Sequence, residues 1–189
     1  MEAFSRKVKE LMIGLGFQEM MYNYLGSKRE YIENMRVDGN SYIQIENPMS
    51  ENYEFVRLLV IPSLLESESV SAHAVYPHHI FEVGKVAFLD ETDNSGTTTR
   101  DNLGFLAAGS EMGFNQLNSL ISTLFYFLNR EYVMQEVVDP RFIAGRCGQL
   151  VSNGTVVGVF GEVHPAVLEN WGITMPTIAC EVDLTLLLD

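Results

Sequence analysis

Cysteine is scarce in this sequence, and long apolar runs are missing. Only Cys147 and Cys180 occur among 189 residues, far apart and outside any C-x-x-C pair. This excludes a framework of several disulfides and gives no zinc knuckle. No apolar run approaches the roughly 20 residues of a membrane-spanning helix, and the first ten residues mix charges with apolar side chains, unlike a signal peptide. We therefore expect a protein of the reducing cytoplasm without a membrane segment.

Positive charge is the second shortage. Twelve lysines and arginines face twenty-five aspartates and glutamates, which gives a formal net charge of -13. Such a field repels polyanions and forfeits the counterion release that drives binding to phosphate backbones. We expect no DNA partner and no tight binding of RNA by this chain alone. Direct tRNA binding is a weak alternative that would need a steep salt dependence to support it.

Motifs for nucleophilic, phosphate or metal chemistry are also missing. There is no G-x-S-x-G elbow and no glycine-rich loop at a helix N-terminus. Glu162 and His164 would share a strand face, which makes them a minor acid/base candidate. We predict no catalytic residue and no metal site, because closed zinc spacing is lacking among the four histidines, His73, His78, His79 and His164.

Apolar residues, by contrast, are abundant. The chain is 47% hydrophobic and 11% aromatic, which is typical of a packed globular protein rather than a disordered one. Its length suits one domain with one sizeable core, and no repeat, low-complexity segment or linker divides it. We predict a single domain over residues 1–189.

Apolar residues at helical spacing predict four helices. In the second of them, Pro62 marks a start or a kink, because proline fits only the first turn of a helix. The third has few polar interruptions and should be buried on more than one side. The predicted ranges are 4–15, 51–72, 114–128 and 165–171.

Alternating or continuous apolar segments predict six or seven main strands, with a polar hairpin tip over 90–102. Asn153-Gly154 is the strongest short hairpin signal, and a hairpin requires antiparallel pairing. Gly158 and Gly161 lie inside a predicted strand and indicate close backbone approach. The fold class is therefore α+β, a mainly antiparallel sheet flanked by helices. The strand segments considered are 19–25, 41–46, 79–89, 103–108, 132–138, 147–152, 156–163 and 178–184.

Three arginines lie in strongly patterned segments: Arg57, Arg141 and Arg146. Arginine commonly orders structure through ion pairs and carbonyl contacts, and we favour that role for all three. Binding of a phosphate group remains the open alternative.

Three ordered segments resemble phenylalanyl-tRNA synthetase beta subunits. They are NPMSENY at 47–53 with its continuation to residue 65, IFEVGKV at 80–86, and DPRFIAGR at 139–146 followed by GEVHPAVL at 161–168. The resemblance extends over about residues 1 to 185. The motif sequences are closer to those of the archaeal and eukaryotic type than to those of the bacterial type. The positions that carry it are Asn47, Pro48, Arg57, Phe81, Gly84, Arg146, Gly161, His164 and Pro165.

The resemblance implies a class II aminoacyl-tRNA synthetase core without chemistry of its own, paired with an alpha subunit that binds ATP, magnesium and phenylalanine. It implies contact with tRNA(Phe) only through the holoenzyme. A working class II core clamps ATP phosphates with one arginine on a motif 2 strand and another on a motif 3 helix. After Gly84 this chain offers Lys85, Val86 and Ala87, and we expect no room for an arginine-bearing helix before Asp189.

Beta subunits are several times longer than this chain, so we expect either an excised fragment or a stand-alone relative. Two functional hypotheses follow. In the first, the helices at 51–72 and 114–128 pack on the alpha subunit and stabilise it. In the second, a degenerate pocket binds an amino acid or a nucleotide through three polar contacts, Arg57, Glu82 and Glu162.

Overall fold

A seven-stranded sheet forms the centre of the molecule, with a small three-stranded sheet beside it. The structure is a computed structural model that describes residues 1–71 and 73–188. The described strands are β1 (Gln18–Glu19), β2 (Leu25–Gly26), β3 (Ile43–Gln44), β4 (Phe55–Val56), β5 (His78–Leu89), β6 (Thr97–Ala108), β7 (Val133–Glu136), β8 (Phe142–Ser152), β9 (Thr155–Val163) and β10 (Thr177–Asp183).

Five α-helices accompany these strands in the described residues: α1 (Glu2–Gly14), α2 (Ile61–Val70), α3 (Phe114–Leu128), α4 (Pro165–Trp171) and α5 (Leu184–Leu188). A π-helical turn covers Arg29–Glu33 and a 3₁₀ turn covers Glu51–Tyr53. None of the described helices combines the length and the apolar character that crossing a bilayer requires.

The large sheet has the strand order β1-β5-β6-β10-β9-β8-β7. Only the short β1–β5 pair is parallel; the other pairs are antiparallel. The β8–β9 hairpin turns at Asn153 and Gly154, whose φ angles of 50° and 80° are those of a type I′ turn. The predicted α+β class with a mainly antiparallel sheet is confirmed.

The two faces of the sheet carry separate apolar layers, because side chains alternate along each strand. Phe105 and Phe160 pack on one face against α1, α3 and α5, and we call this the α3 face. Leu106 and Ala179 pack on the other face against α2 and α4, and we call this the α2 face.

The predicted helix over 51–72 is shorter in the structure. It begins at Ile61, with Pro62 in its first turn, where the missing N–H of proline costs no hydrogen bond. The 3₁₀ turn and β4 occupy the residues before it. Ala72 lies outside the described residues.

The strand predictions were correct in type but not always in extent. Segment 19–25 meets strands β1 and β2 only at its two end residues, and segment 41–46 contains only the two-residue strand β3. Conversely, β6 begins at Thr97 inside the predicted polar tip, because strand pairing uses backbone groups and tolerates polar side chains. After the last strand the chain forms the short helix α5, which carries no arginine.

Helix α3 is buried on one side only, not on several sides. Leu117, Ile121 and Leu124 are inaccessible, while Tyr126 and Phe127 are 78% and 54% exposed. Apolar residues all around a helix do not reveal which of them lack a neighbour.

Candidate functional site

Arg57 is the most buried cation of the α2 face, with 0% of its surface exposed. Its Nη1 and Nη2 atoms donate to the two carboxylate oxygens of Glu82, each at 2.8 Å. Its Nε donates to the carbonyl of Lys85 at 2.9 Å. A bidentate pair of this kind fixes both side chains, and the guanidinium, which engages three of its N–H donors in these bonds, has no exposed surface for a phosphate to contact.

Gly84 explains why this part of the motif reads F-E-V-G. Residues 82 and 84 point to the same side of β5, because strand side chains alternate. A Cβ atom at Gly84 would collide with the Arg57 guanidinium and with the Glu82 carboxylate. Gly84 therefore makes the room in which the ion pair forms.

Glu181 is a buried ionisable residue of this face that the sequence did not single out. In the sheet it lies opposite Gly104, which in turn lies opposite Glu82, so both carboxylates share a row on the α2 face. Its oxygens accept hydrogen bonds from the backbone N–H of Val60 at 2.8 Å and of Ile61 at 3.1 Å, where α2 begins. The one available signal was a glutamate inside the apolar strand 178–184.

Burial raises the pKa of Glu181 from 4.5 to about 7. The opposing influences are the amide of Asn102, which donates from Nδ2 at 2.8 Å, the two backbone N–H groups, and the charge of Arg57. Complete desolvation of a carboxylate outweighs these hydrogen bonds. Glu181 therefore titrates close to neutral pH.

Glu162 lies on the opposite face from Arg57 and Glu82. It pairs with Ile178 in the sheet, whereas Glu181 pairs with Val159 three residues earlier, and an odd separation along a strand changes the face. Its Oε1 accepts from the backbone N–H of Phe114, and its Oε2 accepts from Arg146, both at 2.8 Å. The structure does not bring the three predicted ligand contacts into one pocket.

The Arg146–Glu162 pair borders a cavity of about 720 Å³. Its other walls are mainly apolar and come from the loop before α3 and from α4, with Met112, Leu168 and Ile173 among the lining residues. The side chain of Arg146 is 60% exposed, so this pair is a surface contact with little energetic weight.

The remaining cations on the sheet are also paired with carboxylates. The two of the β5–β6 hairpin are Lys85, which contacts Asp101, and Arg100, which contacts Asp183 at 2.9 Å. Arg141 forms a close pair with Asp139. In the described residues, the sheet therefore presents ion pairs where a phosphate-binding site would present free donors.

The other motif positions have structural surroundings. Asn47 and Pro48 lie in an exposed loop before the 3₁₀ turn. His164 caps α4, its Nδ1 accepting from the backbone N–H of Ala166 at 3.1 Å, and Pro165 occupies the first turn. The two remaining positions are at close packing points, Phe81 fully buried in the core and Gly161 beneath Cys147 and Phe142.

Metal ligands do not cluster in the described part of the chain. No group of three or more histidine, cysteine, aspartate or glutamate side chains there is arranged to hold an ion. His164 is engaged as a helix cap and Glu162 as an acceptor for α3, so each member of the minor acid/base candidate already has a structural contact.

The fold shows which structural class of protein the chain resembles. A solved structure from Desulfitobacterium hafniense, of PylSc, a pyrrolysyl tRNA synthetase, matches with a TM-score of 0.78 and 14% identity. The match covers 98% of this chain and 66% of that one. The architecture is that of a class II aminoacyl-tRNA synthetase core.

Residues 1–184 match the family model of the phenylalanyl tRNA synthetase beta chain CLM domain, and the chain belongs to this family. The phenylalanine–tRNA ligase beta subunit of Borrelia turicatae is 50% identical over 188 residues, and that of Treponema pallidum is 50% identical over 184. These matches cover 100% and 97% of this chain but 33% and 30% of the relatives. The chain thus spans about a third of the length of the curated relatives it matches.

These comparisons confirm the resemblance drawn from the motifs and correct one detail of it. The motif sequences predicted the archaeal and eukaryotic type, whereas the relatives reported above come from bacteria. Two positions of the second motif, Glu82 and Gly84, pack around Arg57 in this chain, and such a packing role does not distinguish one lineage from another.

Proposed function

We propose that this chain is the non-catalytic, class II-like module of a phenylalanine–tRNA ligase beta subunit, and that it packs on and stabilises the catalytic alpha subunit. The alpha subunit binds ATP, magnesium and phenylalanine, and tRNA(Phe) meets this module only through the holoenzyme. Residues 1–189 form one domain of a longer subunit that works in the cytoplasm. The relatives' names as beta subunits of a ligase support this assignment.

The observation that carries the proposal is the pairing of cations on the α2 face. Stabilising the charge of a transferring phosphoryl or adenylyl group requires preorganised donors that face the ligand. Here the donors of Arg57 face Glu82, and those of Arg100 face Asp183. Releasing either guanidinium would leave a buried carboxylate without its cation, since Glu82 and Asp183 are both buried.

Helix α2 also covers this face closely. At Gly104 a Cβ atom would lie 2.7 Å from Cβ of Val60, so the start of α2 touches the backbone of β6. Ile61, Leu64 and Leu65 of α2 are buried within this chain, whereas Val70, its last residue, is 70% exposed. We therefore do not propose that α2 docks on a partner, because its apolar side already packs on the sheet of this chain.

Helix α3 offers a surface for the alpha subunit instead. Tyr126 and Phe127, which we call the aromatic patch, are exposed near its C-terminal end with ring centroids 5.3 Å apart. Aromatic side chains dominate the energetics of protein interfaces when they are desolvated there. We propose that this patch is buried in the complex.

Removal of the aromatic patch tests the proposal. In the full-length beta subunit, Tyr126→Ala with Phe127→Ala should weaken assembly with the alpha subunit by about 30-fold or more, as expected for loss of roughly 2 kcal/mol of interface energy. Assembly is measured by co-purification and analytical ultracentrifugation. Leu89→Ala removes an exposed apolar side chain elsewhere, on the β5–β6 hairpin, and should leave assembly unchanged.

An unchanged complex with the double variant would contradict the proposed docking surface. Unchanged aminoacylation after deletion of the whole module would contradict the stabilising role itself. The rival hypothesis of an amino-acid or nucleotide site has lost its predicted pocket, since Glu162 lies on the other face. Calorimetric titration of this chain with phenylalanine, ATP and phenylalanyl adenylate should be silent, and heat from any of them would favour the rival.

A further inference from the structure

The cavity beside Arg146 and Glu162 takes no part in the proposed docking on the alpha subunit. Its volume of about 720 Å³ is within the usual range for small-molecule sites. Two of the motif segments, 139–146 and 161–168, form a large part of its wall, through Ile143, Arg146, Glu162, Val163, Pro165 and Leu168. The aromatic patch on α3 uses none of these residues, so the cavity requires an explanation of its own.

Arg146 is held in place at the edge of this cavity. Its Nη1 donates to Oε2 of Glu162 at 2.8 Å, and Oε1 of Glu162 accepts from the backbone N–H of Phe114, also at 2.8 Å. The carboxylate therefore ties the guanidinium to the first residue of α3. Arginine has five N–H donors, and those on Nε and Nη2 of Arg146 make no hydrogen bond with the described residues. A ligand can reach these donors, because 60% of the Arg146 side chain is exposed.

The other walls are suited to an apolar body. Met112, Leu168 and Ile173 line the cavity, and Ile173 is itself buried in the core of the α2 face. Apolar surface that leaves water on contact with such walls stabilises binding in proportion to its area. A ligand group that meets Arg146 must accept hydrogen bonds, because a guanidinium only donates them.

The charges of the lining distinguish between a neutral and an anionic acceptor. In the described part of the chain, the charged residues of the lining are one arginine and two glutamates, Arg146, Glu162 and Glu169. Since Glu162 already matches the charge of Arg146, the lining has an excess of negative charge, as does the whole chain at -13. A carboxylate ligand would be repelled by this excess, whereas an uncharged carbonyl oxygen would not.

We propose that this cavity binds an uncharged small molecule with a compact apolar body and a carbonyl group, whose oxygen accepts a hydrogen bond from Arg146. Glu162 is a positioning residue, because it orients the guanidinium and matches its charge. Met112, Leu168 and Ile173 contact the apolar body. The site is independent of the proposed docking of α3.

Three probes of nearly the same shape test this preference. Acetophenone has the carbonyl group, α-methylstyrene has a methylene group in place of its oxygen, and benzoate is an anion. The full-length beta subunit is labelled with ¹³C at the methionine methyl groups, and Met112→Leu identifies the signal of Met112, which lines the cavity. Titration of that signal should show acetophenone binding about tenfold more tightly than either of the other probes, as expected for a hydrogen bond from a charged donor.

Four variants separate the contributions. Arg146→Met keeps a long side chain without donors and should reduce the affinity for acetophenone to that for α-methylstyrene. Glu162→Gln leaves the Arg146 charge unmatched and should tighten benzoate binding by about threefold, which loss of structure would not do. Thr174→Trp, at the exposed edge of the cavity, should block every probe. Arg29→Met changes an exposed arginine outside the lining and should bind acetophenone as the unchanged protein does.

Four outcomes would overturn the proposal. Equal binding of acetophenone and α-methylstyrene would mean that Arg146 recognises no acceptor, and benzoate binding as tight as that of acetophenone would refute the argument from charge. A Met112 signal that no probe shifts would mean that the cavity takes no ligand of this class. Shifts that persist in Thr174→Trp would place the probes elsewhere. The comparison of probes on the unchanged protein and Thr174→Trp decide the question even if Arg146→Met does not fold.

Discussion

Three buried glutamates along α2 and its sheet face each have a different donor. Glu82 is held by a guanidinium, Glu181 by backbone N–H groups and an amide, and Glu68 by an imidazole and a phenol. Burial of a charge is tolerated only with such partners, because the lost hydration is large. At the scale of single residues, the carboxylates of this face therefore make their hydrogen bonds with groups of the chain itself.

Glu181 makes stability depend on pH. Its folded pKa of about 7 is above its ordinary 4.5, so the folded state binds the proton more tightly. Stability from this residue is complete below pH 4.5 and is lost as the pH rises through 7, by at most about 1.4 kcal/mol per pH unit. Urea unfolding at a series of pH values measures this slope.

Glu181→Gln should flatten that part of the profile even if it lowers stability at every pH. The exposed Glu169→Gln is the matched control and should leave the slope unchanged. A slope that persists in Glu181→Gln would assign the titration to another group.

At the scale of elements, contacts between them depend on the smallest side chains. The β5–β6 hairpin carries Gly84 beneath the Arg57 guanidinium and Gly104 beneath Val60 of α2. Larger residues would separate α2 from the sheet, and the hydrogen bonds from Val60 and Ile61 to Glu181 would be lost with that separation. Close approach, rather than turn formation, is what these glycines provide.

Gly84→Ala should therefore cost about 3–5 kcal/mol of unfolding free energy, because the added methyl group displaces Arg57 from Glu82 and breaks a buried ion pair. Gly14→Ala in α1 is the control, since nothing lies within 4 Å of its added Cβ. It should stabilise by up to about 1 kcal/mol through helix propensity. Chemical denaturation measures both, and equal effects would refute the packing role of Gly84.

At the scale of the whole molecule, the net charge of -13 and the paired cations favour a protein partner over a nucleic acid. The phosphate backbone supplies most of the affinity in non-specific binding, and it needs unpaired positive charge. Support of a catalytic partner through apolar contact is compatible with this charge, because aromatic burial does not depend on its sign.

This chain alone should therefore bind tRNA(Phe) with a dissociation constant weaker than about 10⁻⁴ M at physiological salt. Fluorescence anisotropy with labelled tRNA measures it, and a cooperative thermal melt by circular dichroism is the control for folding. Micromolar binding with a steep salt dependence would instead support direct contact with tRNA.

The sequence by itself determined the local structure and the family. Helix α3 and the Asn153-Gly154 turn follow from periodicity and turn chemistry over a few neighbouring residues, and the ordered motifs identified the beta-subunit family. The start of α2 beside Pro62 was foreseeable for the same local reason. The segments with weak periodicity, 19–25 and 41–46, were predicted too long because the extent of a strand depends on its partner.

Only the tertiary structure decided which charges meet. Arg57 and Glu82 are 25 residues apart, and Glu181 contacts Val60 across 121. Sequence spacing gives the side of a strand on which a residue lies, but not the neighbouring strand, the register or the helix above it. That is why the predicted pocket of Arg57, Glu82 and Glu162 is divided between two faces. Burial and long-range pairing are properties of the assembled sheet.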